Sequence, residues 1–506
     1  MRLSLVIISI LGCVELFAQI KVSDYHFESY FDFNVDDSIS SKVEFTSVKP
    51  YRNLDFIPDK KINFAPILDV GVGVDLSGSS KFVSQNNAGA KIFGKYKQVD
   101  YSLGYLGGFY MPLDYIKNNL DTLHVFQGQG YAHEINSNAY YSNQVIGHVR
   151  YQAPKYFAFE LGRGKNFIGD GYRSLMLSDN ASAYPYLRIN TKVWRIKYTN
   201  LFSMMNDVQD SNGIMSNYKR KYSTTHFLDW QISKRTSVGI FETIVWQAKD
   251  TLLNRGFDVN YLNPLIFYRP VEYSLGSSDN AILGVNFKVK TTNKQSVYGQ
   301  IVLDEFLLDE VKQDVKHVLR PNDTSVIWGW WANKYAFQLG YKAYDIASVS
   351  GLSAQVEFNF VRPFMYAHGS VTQNYGHLNQ ALAHPMGANF AEIVTHVFYQ
   401  KDKFKYSLQL NYSEYGSDSS YVSYGGNIYQ SYSNRDRTYY FQNGSGLKNN
   451  QVFLRLNTEY LILPKYNMVA NVGYMLRYNV NELASTRSNY FYVSLKTNLF
   501  NRYLDY

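Results

Sequence analysis

The sequence predicts an all-β protein: a closed antiparallel transmembrane β-barrel of about 16–18 strands, with one or more short helices at or inside the barrel. Three observations support this prediction. Aromatic residues make up 17% of the 506 residues, with 46 Tyr and 32 Phe, yet the mean hydropathy is a polar −0.29. After the first twenty residues, no run approaches the roughly 18 apolar residues that a spanning helix needs. Polar and apolar side chains also alternate along most of the chain.

The alternation is the strongest of the three, because a strand between lipid and water changes face at every residue. In the segment 68–76, Leu and Val side chains occupy the even positions, and Asp69, Gly71, Gly73 and Asp75 occupy the odd ones. A soluble sandwich alternates too, but here the pattern continues without a compositional break. Further alternating segments lie at 99–105, 187–193, 283–290, 352–360, 404–412, 452–457 and 468–477.

The first and last strands of the predicted barrel must pair with each other, since closure removes the open edges of the sheet. The last strand is predicted at 491–496, and the candidates for the first strand are Phe27, Phe31, Phe33 and Val35. The segment 304–318 instead shows apolar side chains at helical spacing. It predicts a short helix, either inside or beneath the barrel or in an ordinary loop.

The N-terminus has the features of a secretory signal peptide. A positive residue at position 2 precedes an apolar stretch at 3–11, and Leu16-Phe17-Ala18 predicts cleavage after Ala18. The predicted organisation is therefore a signal peptide at 1–18 and a single outer-membrane barrel domain with long loops at 19–506. The alternative is a lipobox ending at Cys13, which would become the lipidated first residue. Cys13 is the only cysteine, so cleavage after Ala18 leaves no thiol for a disulfide or a zinc cluster.

The formal net charge of +8 can indicate a polyanionic partner. Export makes nucleic acid a poor candidate, so an acidic polysaccharide or the phosphates of lipopolysaccharide are the better ones. The alternative is that the surplus Lys and Arg side chains line a water-filled lumen or flank the lipid head groups. The charge alone leaves both interpretations open.

No sequence motif points to an enzyme. The chain has no His-Glu-x-x-His, no phosphate-binding loop and no Gly-x-Ser-x-Gly, and its ten histidines are scattered. We therefore predict no catalytic residues, no metal site and no cofactor.

Two stretches, 163–186 and 366–390, are dense in side chains that bind sugars. Planar amides and charged groups pair with hydroxyls, and aromatic rings cover the apolar face of a sugar. The predicted ligand-binding residues are Arg163, Lys165, Asp170, Arg173, Asp179, Asn180, Tyr184, Gln373, Asn374, His377, Asn379, Gln380 and His384. The same residue types would also serve a loop that folds into the lumen as a plug, and composition alone favours that structural role.

Several runs in these stretches and beyond them resemble the Wzi-like capsule assembly family, and in particular its Bacteroidota branch, which includes the gliding motility protein RemB. The most specific run is Gln-Asn-Tyr-Gly-His-Leu-Asn-Gln-Ala-Leu-Ala-His-Pro-Met-Gly-Ala-Asn-Phe at 373–390. The matching runs lie at 168–175, 178–180, 184–187, 197–202, 263–272, 330–334, 373–390 and 497–503. The resemblance is weaker before about residue 130.

The resemblance implies an outer-membrane barrel that binds or anchors exported polysaccharide in capsule assembly, with no catalytic residues. Its gliding branch implies a part in surface motility, with gliding or export machinery as further partners. Outer-membrane lipid and lipopolysaccharide would surround the barrel. A general diffusion porin is the alternative function, because an alternating barrel of this size can enclose water. A membrane-embedded hydrolase would need a nucleophile and a base at a spacing that this sequence does not show.

Overall fold

Eighteen antiparallel strands close into a barrel in a computed structural model of the chain. The structure describes residues 48–49, 62–78, 80–136, 138–209, 211, 214–249, 255–264, 279–305, 307–497 and 502–506. The strand number lies in the predicted range. The strands are β1 (Asn63–Asp75), β2 (Lys81–Tyr96), β3 (Val99–Met111), β4 (Ala139–Gln152), β5 (Phe157–Gly164), β6 (Tyr184–Val193), β7 (Ile196–Asp207), β8 (Lys219–Gln231), β9 (Thr236–Gln247), β10 (Asn280–Thr292), β11 (Gln295–Leu303), β12 (Tyr335–Tyr344), β13 (Leu352–Val361), β14 (Phe390–Lys401), β15 (Phe404–Ser417), β16 (Leu447–Leu463), β17 (Met468–Asn481) and β18 (Ser485–Lys496).

The predicted faces of the strands are confirmed. On β1, Val70, Val72 and Val74 point outward and are each 38% exposed, whereas Asp69 and Asp75 point inward and are buried. The same division holds around the barrel, where outward Leu, Val, Ile, Phe and Tyr side chains form an apolar exterior. Such a surface is stable against hydrocarbon and unfavourable in water.

The barrel closes between β1 and β18, which pair antiparallel with Val72 opposite Val493. The last strand is therefore where the sequence predicted it, but the first strand begins at Asn63. The candidates Phe27, Phe31, Phe33 and Val35 lie outside the described residues, as do the predicted signal peptide and Cys13. Assigning the first strand to them was wrong, because local alternation does not say which segment pairs with the last strand.

The two ends of the barrel differ in their connections. At one end, called the turn end, eight short connections lie at 97–98, 153–156, 194–195, 232–235, 293–294, 345–351, 402–403 and 464–467. At the other end, called the loop end, most connections are long. The longest lie at 112–138, 165–183, 248–279, 304–334, 362–389 and 418–446.

Two α-helices occur among the described residues, both in connections of the loop end. Helix α1 spans Asp114–Leu123 and was not predicted. Helix α2 spans Leu308–Leu319, which confirms the predicted helix and places it in a loop rather than inside the barrel. Within the described parts of the chain, neither helix is long and apolar enough to cross a membrane.

Three segments occupy the interior of the barrel. The first lumenal loop (165–183) and the second lumenal loop (362–389) enter from the loop end, and the C-terminal segment (502–506) meets them. Apolar residues of both loops, including Leu175, Met176, Met365 and Leu382, form one buried cluster with inward residues of the strands such as Phe227. The lumen at this level is therefore a packed core.

Candidate functional site

The two polar-aromatic stretches predicted from the sequence meet inside the barrel. The backbone N–H of Ser178 donates to the carbonyl of Leu382 over 2.7 Å, and Asn180 Nδ2 donates to the carbonyl of Ala381 over 2.9 Å. The rings of Tyr184 and His377 make a T-shaped contact with centroids 5.7 Å apart. The two lumenal loops thus form one body.

The charged residues of the first lumenal loop are held by the protein itself. Asp170 forms an ion pair with Lys288 of β10 at 3.2 Å and accepts from Asn286 over 3.0 Å. Lys165 Nζ donates to the carbonyl of Asp179 over 3.0 Å. Burial lowers the pKa of Lys165 to about 8, although the Asp179 carboxylate opposes this shift.

The second lumenal loop is tied to the barrel wall in the same way. Lys221 Nζ donates to Asn374 Oδ1 over 2.6 Å, and the backbone N–H of Gly128 donates to Gln380 Oε1 over 3.1 Å. His377 Nδ1 accepts from the backbone N–H of Asn206 over 3.1 Å. These contacts fix the loop against β7, β8 and the connection 112–138.

Eleven of the thirteen predicted ligand-binding residues are buried in this arrangement: Lys165, Asp170, Arg173, Asp179, Asn180, Tyr184, Gln373, Asn374, His377, Gln380 and His384. The other two reach solvent or lipid. Arg163 is exposed on the outer face of β5, and Asn379 is half-buried and donates to the carbonyl of Leu123 over 3.1 Å. Contact between these thirteen residues and a ligand stays a prediction, whereas their contacts with one another are part of the fold.

A buried charge cluster connects the lumenal loops with the C-terminal segment. Arg173 donates to Glu392 of β14 over 2.9 Å and to Asp505 over 3.1 Å. His384 Nε2 lies 2.7 Å from Glu392, while His384 Nδ1 accepts from the backbone N–H of Met386, so the proton is on Nε2. All four charged or titratable side chains are at most 1% exposed. A buried guanidinium with two carboxylates is stable only while every member keeps its partner.

The sequence analysis missed the two carboxylates of this cluster. Asp505 lies 332 residues from Arg173 and Glu392 lies 219 residues from it. One signal was available for Glu392: it is an acidic residue on the inward face of an alternating strand. No comparable signal marked Asp505, which lies outside any strand.

The charge states of the cluster follow from these contacts. Burial alone would raise the pKa of Asp505, but Arg173 and Arg455 outweigh it and hold the pKa well below its usual range. Burial lowers the pKa of His384, with Glu392 offsetting part of that shift, so the imidazole is neutral at pH 7. The cluster therefore has one cation and two anions at neutral pH.

A second aromatic group lies on the surface of the loop end. This surface aromatic cluster consists of Trp328, Trp331, Tyr432 and Tyr440, together with Arg435 and Arg437. Trp331 packs on Tyr432 with centroids 4.8 Å apart, and the Arg435 guanidinium lies 4.0 Å from the Trp331 ring centroid. Tyr440 is 52% exposed, and Arg437 is exposed beside it.

Backbone hydrogen bonds between the connections 304–334 and 418–446 hold this surface cluster. Tyr440 N–H donates to the Trp328 carbonyl over 2.9 Å, and Phe441 N–H donates to the Gly329 carbonyl over 3.0 Å. Gly329 has φ +71°, and a Cβ there would lie 2.7 Å from the Phe441 backbone. Only glycine allows the two connections to approach so closely.

The described residues contain no group of three or more His, Cys, Asp or Glu side chains placed to hold a metal ion. The loop end presents aromatic rings, guanidinium groups and amides.

Neither a protein-family model nor a curated protein matches the sequence. Among solved structures, the chain is similar to Wzi from Escherichia coli, an outer membrane protein involved in group 1 capsule assembly that is described as a carbohydrate binding β-barrel. The TM-score is 0.51 at 12% sequence identity, over 87% of this chain and 85% of that chain. Two proteins of Pseudomonas aeruginosa also match: OpdK, with TM-score 0.46 and 8% identity over 87% and 99% of the chains, and OprD, with 0.45 and 9% over 89% and 96%.

The likeness to Wzi confirms the predicted fold, while the relation to the gliding branch stays a prediction. Barrels of this kind have short turns in the periplasm and longer loops outside the cell. The turn end is therefore periplasmic and the loop end extracellular. With its apolar exterior and its closed ring of strands, the chain is a multi-pass β-barrel protein of the outer membrane.

Proposed function

We propose that the protein binds exported polysaccharide at the extracellular loop end and holds it on the cell surface, without catalysing a reaction. The observation that carries this proposal is the surface aromatic cluster, which presents the exposed Tyr440 and Arg437 beside half-buried rings and Arg435, above a lumen filled by its own loops. A role in capsule attachment agrees with the likeness to Wzi, which is a carbohydrate binding barrel.

The surface aromatic cluster has the chemistry that an acidic polysaccharide requires. Tyr440 is exposed, and Trp328 is half-buried with His317 stacked on one of its faces at 4.0 Å between ring centroids. The uncovered ring surface of the two residues can cover the apolar faces of sugar rings. Arg437 is exposed beside them, and a guanidinium pairs with a carboxylate in two hydrogen bonds. Charge and stacking together favour a uronate-containing or phosphate-containing chain over a neutral one.

The thirteen residues predicted from the sequence take two roles in this proposal. Arg163 and Asn379 are exposed enough to contact polysaccharide directly. The other eleven hold the lumenal loops and thereby fix the extracellular surface to which the polysaccharide binds. Gliding motility, if the chain supports it, would use the same polysaccharide contact.

Binding of purified protein to an acidic and to a neutral polysaccharide tests the proposal. The variant Trp328→Ala/Arg437→Ala/Tyr440→Ala should lose most of its affinity for the acidic chain, because stacking and the charge contact both disappear. The matched variant His377→Ala/Asn379→Ala/Gln380→Ala changes the second lumenal loop and should retain more affinity if it folds. Equal affinity of the surface variant and the wild type would contradict the proposal.

Conductance in a planar bilayer separates the proposal from the alternative of a diffusion porin. A lumen filled by two loops and the C-terminal segment should pass little current, whereas an open barrel of eighteen strands should pass a large one. Deleting the gene and scoring capsule retention and spreading on agar separates attachment from gliding.

A further inference from the structure

The turn end of the barrel carries a ring of basic side chains. Six of its eight connections contribute an exposed Lys or Arg: Lys97, Lys155, Arg195, Lys234, Lys294 and Lys403. Each side chain lies at the tip of a different hairpin, so the charges are spread around the circumference. We call these six residues the basic ring.

The backbone of the turns does not require these residues. Lys97 has φ +54° and Lys155 has φ +79°, in the left-handed region where glycine is free of steric cost and asparagine is favoured. Lysine at such a position is a poor choice for the turn itself. An interaction of the ammonium group with a partner outside the turn would account for lysine at these two positions.

Aromatic residues place the basic ring at the boundary of the membrane. Tyr96, Tyr156 and Trp194 adjoin it in sequence and are 52%, 49% and 68% exposed. Lys97 Nζ lies 5.5 Å from the Tyr96 ring centroid, and the Arg195 guanidinium lies 5.6 Å from that of Trp194. Rings of this kind belong at the level of the lipid head groups, so the ammonium and guanidinium groups are level with lipid phosphates.

Few carboxylates neutralise the basic ring. Lys294 pairs with Asp345 at 3.1 Å, and Asp402 adjoins Lys403 in sequence. In the part of the chain that the structure describes, Lys97, Lys155 and Lys234 form no ion pair with a carboxylate. At the loop end, by contrast, carboxylates of the two helices pair with lysines: Asp114 with Lys81, and Asp309 with Lys312.

A groove on the outer face gives the basic ring a place where one lipid could sit. It has a volume of about 760 Å³ and lies among the connections 232–235, 293–294 and 345–351. Arg235, Lys294 and the carboxylate that pairs with Lys294, Asp345, line its periplasmic side, which leaves one net positive charge there. Outward side chains of the barrel wall, including Tyr341 and Val356, line part of the rest. A lipid would fit both the charged and the apolar side of this groove, with its phosphate beside Arg235 and an acyl chain along Tyr341 and Val356.

We propose that the basic ring and this groove bind the phosphate head groups of anionic phospholipid in the periplasmic leaflet of the outer membrane, and so fix the depth of the barrel. Each basic residue close to an anionic membrane surface adds attraction that falls off within a Debye length. The proposal depends on the membrane location alone and is independent of polysaccharide binding.

Spin-labelled lipids test the proposal on the full-length protein in nanodiscs of equal parts phosphatidylcholine and phosphatidylglycerol. The wild type should immobilise labelled phosphatidylglycerol at least about 3-fold more strongly than labelled phosphatidylcholine at low salt, and less selectively at high salt. The variant Lys97→Gln/Lys155→Gln/Arg195→Gln/Lys234→Gln/Arg235→Gln/Lys294→Gln/Lys403→Gln should bring this ratio close to one.

Two further variants make the result specific. Lys312→Gln/Lys316→Gln/Arg320→Gln removes three exposed charges at the loop end and should leave the selectivity unchanged. Exchanging Lys97, Lys155 and Lys234 for Arg keeps the positive charges and should therefore keep the selectivity for phosphatidylglycerol. A wild type without preference, or a Gln variant that folds and keeps the wild-type ratio, would overturn the proposal. So would a Gln variant that loses affinity for purified peptidoglycan while its lipid selectivity is unchanged.

Discussion

The lumenal loops and the surface aromatic cluster are built from the same residue types but differ in what surrounds them. Arg173 is 1% exposed and its guanidinium is paired with two carboxylates, whereas Arg437 is exposed at the loop end. Polar groups that other protein groups already satisfy stabilise a conformation. Polar groups that face water are available to a ligand. The difference shows that burial, rather than composition, separates the plug of this barrel from its surface aromatic cluster.

The largest effect should follow the loss of the buried guanidinium. Arg173→Met leaves Glu392 and Asp505 as buried anions without their common partner, which should cost about 3–5 kcal/mol of stability. We expect a lower midpoint of guanidinium-induced unfolding in detergent and a rise in single-channel conductance as the plug loosens. Arg437→Met should change neither quantity measurably, because Arg437 is exposed. If the two variants were equally stable, the conclusion that Arg173 stabilises the lumenal loops while Arg437 contributes nothing to stability would be contradicted.

Acidification should destabilise the second lumenal loop through its histidines. Burial, with Arg163 and Lys221 nearby, lowers the pKa of His377 to about 3, from an ordinary value of about 6.5. Above about pH 6.5 the imidazole is neutral both in the lumen and in water, so stability is constant. Below that pH only the displaced loop binds the proton, and stability falls by about 1.4 kcal/mol per pH unit, until about pH 3.

Conductance measured from pH 7 to about pH 4.5 checks this prediction, since about 3 kcal/mol should be lost over the range. His377→Gln should reduce the pH dependence, with the remainder due to the buried His384, whereas His133→Gln, at an exposed position, should leave it unchanged. A conductance that is unaffected by pH in the wild type would show that His377 titrates close to its ordinary pKa.

The membrane strands could be predicted from the sequence, but the strand that pairs with the last one to close the barrel could not. Alternation at 68–76 and 491–496 identified membrane strands, because lipid and water act on each residue locally. The same local pattern at Phe27–Val35 suggested the wrong first strand, since pairing depends on a partner more than 400 residues away, as Leu68 and Thr497 illustrate. Helix α2 was predicted because its apolar spacing is also local.

The candidate site was harder to predict, because exposure arises from packing between distant loops. His384 and Trp331 both lie in runs that resemble the same family, and nothing in either run says that His384 is buried beside Glu392 whereas Trp331 lies near the surface. The buried carboxylates and the contact between connections 304–334 and 418–446 appear only once the barrel is closed.

Arg437 should affect binding rather than stability. Arg437→Gln should weaken the binding of an acidic polysaccharide about 3- to 10-fold at low salt, because one charge-assisted contact is lost. The effect should shrink at about 1 M salt, where the Debye length is near 3 Å. Lys312→Gln, at an exposed lysine paired with Asp309, is the matched control and should bind as the wild type does. A loss that persists unchanged at high salt would assign Arg437 a packing role instead.

The smallest effect should appear at Asn379, a half-buried residue of the second lumenal loop that contacts the end of helix α1. Asn379 belongs to the second lumenal loop but is only half-buried, and its side chain makes a hydrogen bond of 3.1 Å to Leu123. Asn379→Ala should therefore cost about 0.5–1 kcal/mol of stability and reduce polysaccharide affinity about 2-fold. Gln380→Ala removes a buried amide bonded to Gly128 and should lower stability more while leaving affinity unchanged. If Asn379→Ala and Gln380→Ala reduce polysaccharide affinity equally, the affinity depends on the position of the loop. The direct contact proposed for Asn379 would then be contradicted.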